Sequence, residues 1–274
     1  MPGKTPGRGA RKRAPAVAMP LHWQGARLLV VDDQRTYRLL MSSLLHRLGL
    51  AHDAVADGRM ALRALNAQRY DMVITDCRMP VMDGYTLARE LRCREARTGT
   101  PHIPVLALTG CLGPDEVRRC VDCGMDGWLI KPVVLEQLRE VLLYWLPAPQ
   151  SRPRGGWREP VPAAVQERVP TRSSLIATFG SWAVVQPLLS CLLQEAREDL
   201  AVLSLARSRL DATLTTQRLH RLVGSIAFFG ATILEQRAVH LIAQVNQSGV
   251  ATQLAGLEQF HRDVEQYLEC LAAL

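Results

Sequence analysis

Residues 72–85 read MVITDCRMPVMDGY. Met72, Val73 and Ile74 form a short apolar run that leads straight to Asp76, and Pro80 and Gly84 break the pattern before helical spacing begins. This reads as a buried strand delivering one carboxylate to a loop at its C-terminal end. In an open parallel α/β sheet, ligands collect at that edge. An Asp after a strand is also an ordinary turn or helix cap, so the weight falls on what the rest of the chain brings to the same edge.

Outward from this stretch, strand and helix patterns alternate. Strands are expected at Leu28–Val31, more weakly at Ala51–Val55, then Asp71–Thr75, Ile103–Leu108 and Trp128–Ile130. Between them, helical spacing covers about Arg35–Leu48, Gly58–Gln68 and Gly84–Arg97, with Pro114 and Gly124 bracketing a further helix. A last amphipathic helix carries Leu135, Leu138, Val141, Leu142 and Trp145 and stops at Pro147. Five strands separated by helices imply a doubly wound parallel sheet. In such a sheet Asp32 and Asp33 end the first strand, Asp76 the third, Thr109 the fourth and Lys131 the fifth, so all five converge on one edge. Three carboxylates this close repel one another and are costly without a cation. Hard oxygen ligands with room for water and phosphate oxygens suit Mg²⁺.

The ordered motifs VVDD, ITDCRMPVMDGY, ALTG and KP resemble the receiver domain of two-component response regulators, over about Arg27–Leu146. The resemblance implies a flavodoxin-like fold in which Asp76 accepts a phosphoryl group. It also implies that Asp33, Asp32 and the backbone carbonyl of Arg78 hold the metal with Asp76, that Thr109 hydrogen-bonds the phosphate, and that Lys131 pairs with it. Receivers carry an aromatic side chain three residues before the Lys as a switch partner of the Thr; here it is Trp128, bulkier than Tyr or Phe.

Pro147–Pro170 holds repeated prolines, a Gly-Gly pair and several Arg, without apolar periodicity, and reads as a tether. Beyond Thr171 strand signals vanish. Helices are expected at about Trp182–Ser208, Asp211–Phe229, Ala231–Asn246 and Ala251–Ala273, most simply as an up-and-down bundle. On the second of these, Leu219, Leu222 and Ile226 are spaced to bury, whereas His220 and Gly224 share another face one turn apart. That face puts an imidazole on the surface with no side chain beside it. A lone helical His is also an ordinary surface residue.

The string LHRLVGSIAFFGATILE resembles the His-bearing helix of histidine-phosphotransfer (HPt) domains, through His220, Leu222, Gly224, Ser225, Gly230 and Ala231. The resemblance covers about Thr171–Leu274 and implies that His220 carries phosphate. One departure stands out: Val223 occupies the position of a Lys, and Arg221 lies about a hundred degrees round the helix from His220. A stand-in role for Arg221 stays open. His240 and His261 lack the flanking Gly-Ser and read as surface residues.

The expected organisation is a flexible basic leader (1–23), a receiver (24–147), a tether (148–170) and an all-α HPt bundle (171–274). This order resembles the C-terminal end of hybrid sensor kinases of the virulence-sensor type. It implies a sensor histidine kinase upstream and a response-regulator receiver downstream. No ATP-binding kinase pattern is present, so either the kinase is a separate protein or this sequence is a piece of a larger one; the leader with its own Met1 weighs toward a free-standing protein. The formal charge of +7 traces largely to Lys4, Arg8, Arg11, Lys12 and Arg13 and to the tether, leaving the folded parts near neutral. A basic tail touches phosphates without reading sequence, so no specific nucleic acid is expected. Glu258, Asp263, Glu265 and Glu269 on the last helix weigh against a DNA-binding regulator. A phosphate sink or interaction module with a silent His220 is the other alternative, kept open by Val223. The seven scattered cysteines suit a reducing compartment, and the lone Cys120–Cys123 pair reads as helix packing rather than a zinc site. Without a signal sequence or a spanning apolar run, a cytoplasmic location is expected.

Overall fold

The structure, a computed structural model, describes residues 20–110, 114–146, 170–229 and 232–274. Most of the expected leader, the tether, and Gly230 and Ala231 of the HPt-like string lie outside the described residues.

The first unit alternates β1 (Arg27–Val31), α1 (Arg35–Arg47), β2 (Ala51–Val55), α2 (Gly58–Ala67), β3 (Met72–Asp76), α3 (Gly84–Thr98), β4 (Val105–Thr109), α4 (Pro114–Asp122), β5 (Gly127–Ile130) and α5 (Leu135–Trp145). The strands pair in parallel in the order β2-β1-β3-β4-β5. β1, β3 and β4 are almost wholly buried because helices cover both faces. Successive side chains alternate between those faces. Leu28, Val30, Met72, Ile74, Leu106 and Leu108 enter one core, and Leu29, Val31, Val73, Val105 and Ala107 the other. The register sets Val31 beside Thr75, Asp76 beside Leu108, and Thr109 beside Ile130, so the functional ends of the strands finish level.

Two starts are fixed by acidic caps. Asp57 accepts from Met60 N at the head of α2, and Asp83 accepts from Thr86 N at the head of α3. Directly after the second cap, Gly84 lies against β3, where a Cβ would collide with the carbonyl oxygen of Asp76. Only glycine lets α3 begin so close to the strand end.

Ordered structure begins inside the expected leader. Leu21–Trp23 forms a 3₁₀ turn, and Trp23 is 1% exposed in the core beneath β1 and α1. An indole supplies too much apolar surface to stay in solvent when a core lies beside it.

The second unit is helical: α6 (Arg172–Phe179), α7 (Trp182–Ser208), α8 (Ala212–Ala227), α9 (Thr232–Ser248) and α10 (Leu254–Ala272). The last four pack in sequence, with α10 returning to α7, as a bundle closed by short connections predicts. α6 was not anticipated; Thr171 and Ser174 cap it reciprocally and Gly180 (φ +95) ends it. Asp211 caps α8 by accepting from Leu214 N. Among the described residues no single helix is long and apolar enough to cross a membrane, although the pair α6 and α7, bent by 108°, passes by length and composition.

The two units meet. α1 lies against α7, and the apolar core on that side of the sheet runs on into the bundle. Tyr37 of α1 stands edge-on to Phe228 at 5.1 Å, and Phe228 stacks on Phe179 at 5.7 Å. Such aromatic pairs contribute about 0.5–1.5 kcal/mol each beyond their burial.

Candidate functional site

The carboxylates of Asp32, Asp33 and Asp76 each offer one oxygen within 4.8 Å of the others. Asp32 is fully buried just past β1, where its Oδ1 accepts from Gln34 N at 2.8 Å. Asp76 is the last residue of β3, and its Oδ1 accepts from Arg78 N at 3.1 Å. Lys131 follows β5 and reaches back over the edge, with Nζ 2.8 Å from Asp32 Oδ2 and 2.7 Å from Asp76 Oδ2. The Tyr37 ring lies 4.0 Å from that ammonium. Thr109 ends β4, buried, and its carbonyl accepts from Lys131 N at 2.8 Å.

Burial sets the electrostatics. It pushes the Asp32 carboxyl up to about 7, against the pull of Lys131 and with the repulsion of Asp76 and Asp33 added to it. Asp33 is raised for the same reason, with Arg221 opposing. Lys131 is buried yet raised, since Asp32 and Asp76 both hold its proton in place. One buried ammonium shared between two acids leaves a cluster still rich in negative charge.

The bundle closes over this edge. Gln34 Nε2 donates to the carbonyl of Arg221 at 2.5 Å, and the Arg221 guanidinium pairs with Asp33. Glu195 of α7 accepts from Arg35 N at 2.7 Å, Thr36 N at 2.9 Å and Thr36 Oγ1 at 2.6 Å. The N-cap of α1, Gln34, gives no side-chain cap of its own, so the other unit satisfies these amides. His220 lies over the loop after β3, with Nε2 2.9 Å from Arg78 Nη1. A guanidinium only donates, so Nε2 accepts and Nδ1 carries the ring proton. Burial, reinforced by Arg78, lowers the imidazole to about 4, which keeps it neutral near pH 7.

The residues expected at the sheet edge are therefore assembled: Asp32, Asp33, Asp76, Thr109 and Lys131, with Arg78 beside them. Trp128 is half-buried on β5 against the second core, its Nε1 buried without a hydrogen-bond partner among the described residues. One expectation needs correction and one open question is answered. His220 is not free on the surface, because the receiver-like unit covers it; next to it, Gln34 fills the space over Gly224, where a Cβ would meet Gln34 Oε1 at 2.6 Å. Nor does Arg221 stand beside the imidazole: its Nε lies 2.9 Å from Asp199 Oδ1, and its far end is on Asp33. The carboxylate cluster draws its cations from Lys131 and Arg221 of this same chain.

Gln34, Glu195, Glu116 and the Arg78 side chain escaped the sequence reading. The one local signal was the weak Gln34 cap on a well-formed helix, which calls for a partner from elsewhere. Glu116 lies 3.0 Å from Arg78 Nη2 and also accepts from the Tyr85 hydroxyl. Cys120 and Cys123 are buried thiols, with Cys123 Sγ donating to the Cys120 carbonyl, as helix packing predicts. His240 is exposed and His261 pairs with Glu265 on its own helix.

With this fold and this edge in view, comparison gives the class of the first unit: residues 28–143 match the response regulator receiver domain. The chain is similar to the sensor protein GacS of Pseudomonas syringae pv. syringae, 30% identical over 237 residues, covering 83% of this chain and 26% of that protein. It is also similar to the virulence sensor protein BvgS of Bordetella bronchiseptica, 30% identical over 242 residues, covering 84% of this chain and 19% of that protein. The chain thus spans about a quarter or less of the length of these relatives. Both matches are longer than the receiver segment and extend beyond it. Among solved structures, the receiver domain of a sensor histidine kinase from Pseudomonas aeruginosa PAO1, with magnesium in its active-site cleft, is 34% identical. That match covers 44% of this chain and 98% of the other, with TM-score 0.41.

Proposed function

We propose that this chain carries two successive steps of a His-Asp-His-Asp relay. Asp76 receives a phosphoryl group from a sensor histidine kinase, and His220, on a histidine-phosphotransfer bundle spanning about 171–274, exchanges it with a receiver. The observation that carries this reading is the position of His220: a neutral imidazole with its lone pair on Nε2, held by Arg78 against the loop that begins at Asp76. The similarity to sensor kinases along more than the receiver segment supports it.

Three clustered carboxylates are a hard oxygen donor set that fits Mg²⁺. Asp32, Asp33 and Asp76 would hold it, with the Arg78 carbonyl, and the bound ion would neutralise charge on the phosphoryl group. The chain supplies the rest. Asp76 provides the attacking carboxylate oxygen, Lys131 an ammonium already at hydrogen-bond distance from that carboxylate, and Thr109 a hydroxyl at the end of the neighbouring strand. Catalysis of this kind is mostly positioning and charge stabilisation.

Val223, half-buried and apolar one turn from His220, favours a second reading in which the bundle binds the receiver without taking phosphate. Labelling with phosphorus-labelled acetyl phosphate separates the two. The relay gives a base-stable phosphohistidine that disappears in both His220→Gln and Asp76→Asn. The silent bundle gives only hydroxylamine-labile acyl phosphate, unchanged in His220→Gln.

A further inference from the structure

The bundle's own cations are turned away from its histidine. Arg218 lies on Asp199 at 2.8 Å, and Arg221 is divided between Asp199 and Asp33. Position 223, one turn beyond His220 and so its neighbour on the helix surface, is a valine packed against the core. The cation hydrogen-bonded to the imidazole comes instead from the receiver, as Arg78. Arg78 is itself held: its Nη2 sits 3.0 Å from Glu116 Oε2, and Tyr85 donates to the other oxygen of Glu116. Its backbone N–H meanwhile touches Asp76 Oδ1. One residue therefore spans both ends of the exchange, through main chain at the aspartate and side chain at the histidine.

We infer that Arg78 is a positioning residue for phosphoryl exchange between Asp76 and His220, and that the bundle thereby selects receivers bearing a cation two residues after the acceptor aspartate. The inference rests on the relay reading above. In the step itself, the bond from phosphorus to an Asp76 oxygen breaks as the Nε2–phosphorus bond forms. The bonding pair returns to the carboxylate, the Nε2 lone pair makes the new bond, and the Nδ1 proton stays on the ring. In this structure the guanidinium sits on the Nε2 lone pair, so it yields that place to phosphorus as the bond forms, and its planar fork then suits the phosphoryl oxygens. A receiver with a neutral side chain there would leave the phosphohistidine without a counter-charge, because Val223 supplies none.

The test is a rapid-quench time course on the full-length protein loaded with labelled acetyl phosphate and Mg²⁺. The rate of base-stable label appearing on His220 is scaled to the acyl phosphate present on Asp76, so that loading speed does not enter. Arg78→Ala is expected to slow this rate roughly tenfold to a hundredfold, the size of a lost charge-stabilising donor. Arg78→Lys is expected to keep most of it, and Val223→Lys added to Arg78→Ala to restore it to within about threefold by supplying an ammonium from the bundle. Wild-type speed in Arg78→Ala overturns the inference and leaves the relay standing. Equal loss in Arg78→Ala and Arg78→Lys, without rescue by Val223→Lys, also overturns it, since a shape role and not a charge role would then be at work. If the wild-type protein never labels His220, the relay reading fails first and takes the inference with it.

Discussion

The Nζ of Lys131 lies 2.7 Å from Oδ2 of Asp76, and this ammonium is buried. It also serves Asp32, but burial outweighs its pull, so the acid at the base of the cluster keeps a strong preference for its proton. Asp32 releases that proton near pH 3.8 in the unfolded chain and near 7 in the folded one. The folded state therefore binds the extra proton between those values, and the stability it gives is full below about pH 4 and lost as pH rises through 7. Asp32→Asn is expected to flatten this decline and to stabilise the metal-free protein near pH 7.5 by about 1–3 kcal/mol. Three pKa units correspond to roughly 4 kcal/mol, and the lost contact with Lys131 offsets part of it. Urea unfolding at several pH values in chelator checks this; an Asn variant with the same pH slope as the parent contradicts it.

Arg221 and a divalent cation draw on the same carboxylate. Asp33 is paired with the Arg221 guanidinium and is also one of the three clustered acids. Arg221→Ala is expected to tighten Mg²⁺ binding about tenfold, within the usual range of coupling between sites. By linkage, Mg²⁺ should loosen the hold of the bundle on the receiver by a similar factor. Calorimetric titration of the two proteins measures the first effect, and equal affinities would remove the coupling.

Glu195 satisfies three donors at the head of α1 from across the interface. Loss of a helix cap costs about 0.5–2 kcal/mol, and a carboxylate at a helix N-terminus adds a favourable dipole interaction. Glu195→Ala is expected to lower stability by about 1–2 kcal/mol and to separate the two units, seen as a larger radius of gyration in small-angle scattering. Asp211→Ala, which removes the cap of α8 away from this interface, should lower stability by a similar amount while leaving the units together. A Glu195→Ala protein as compact as the parent would show that the interface does not depend on this cap.

The receiver was legible because each of its signals is local. Apolar runs of three or four residues leading to Asp32, Asp76, Thr109 or Lys131 set both the strand and the edge its last residue reaches. The short α6 was harder, since eight residues before Gly180 carry too little periodicity to announce a helix, and its stability rests on Thr171 and on burial of Leu175 and Phe179. The interface was not legible at all. Arg78 and His220 are 142 residues apart, and Asp33 and Arg221 are 188 apart. Side chains such as Glu195 and Arg78 look like solvated charges until the facing element is in place. Gly224 shows the same limit, for its missing side chain reads as a bare surface in the sequence and holds the Gln34 amide in the structure.

Transfer from Asp76 to His220 inside one molecule can be timed directly by single-turnover phosphorus labelling over a range of protein concentrations. The predicted result is a base-stable phosphohistidine that grows as acyl phosphate decays, at a rate independent of concentration, and that a mixture of Asp76→Asn and His220→Gln chains forms more slowly. A phosphohistidine whose rate rises in proportion to concentration, or none at all while Asp76 is loaded, would contradict the account.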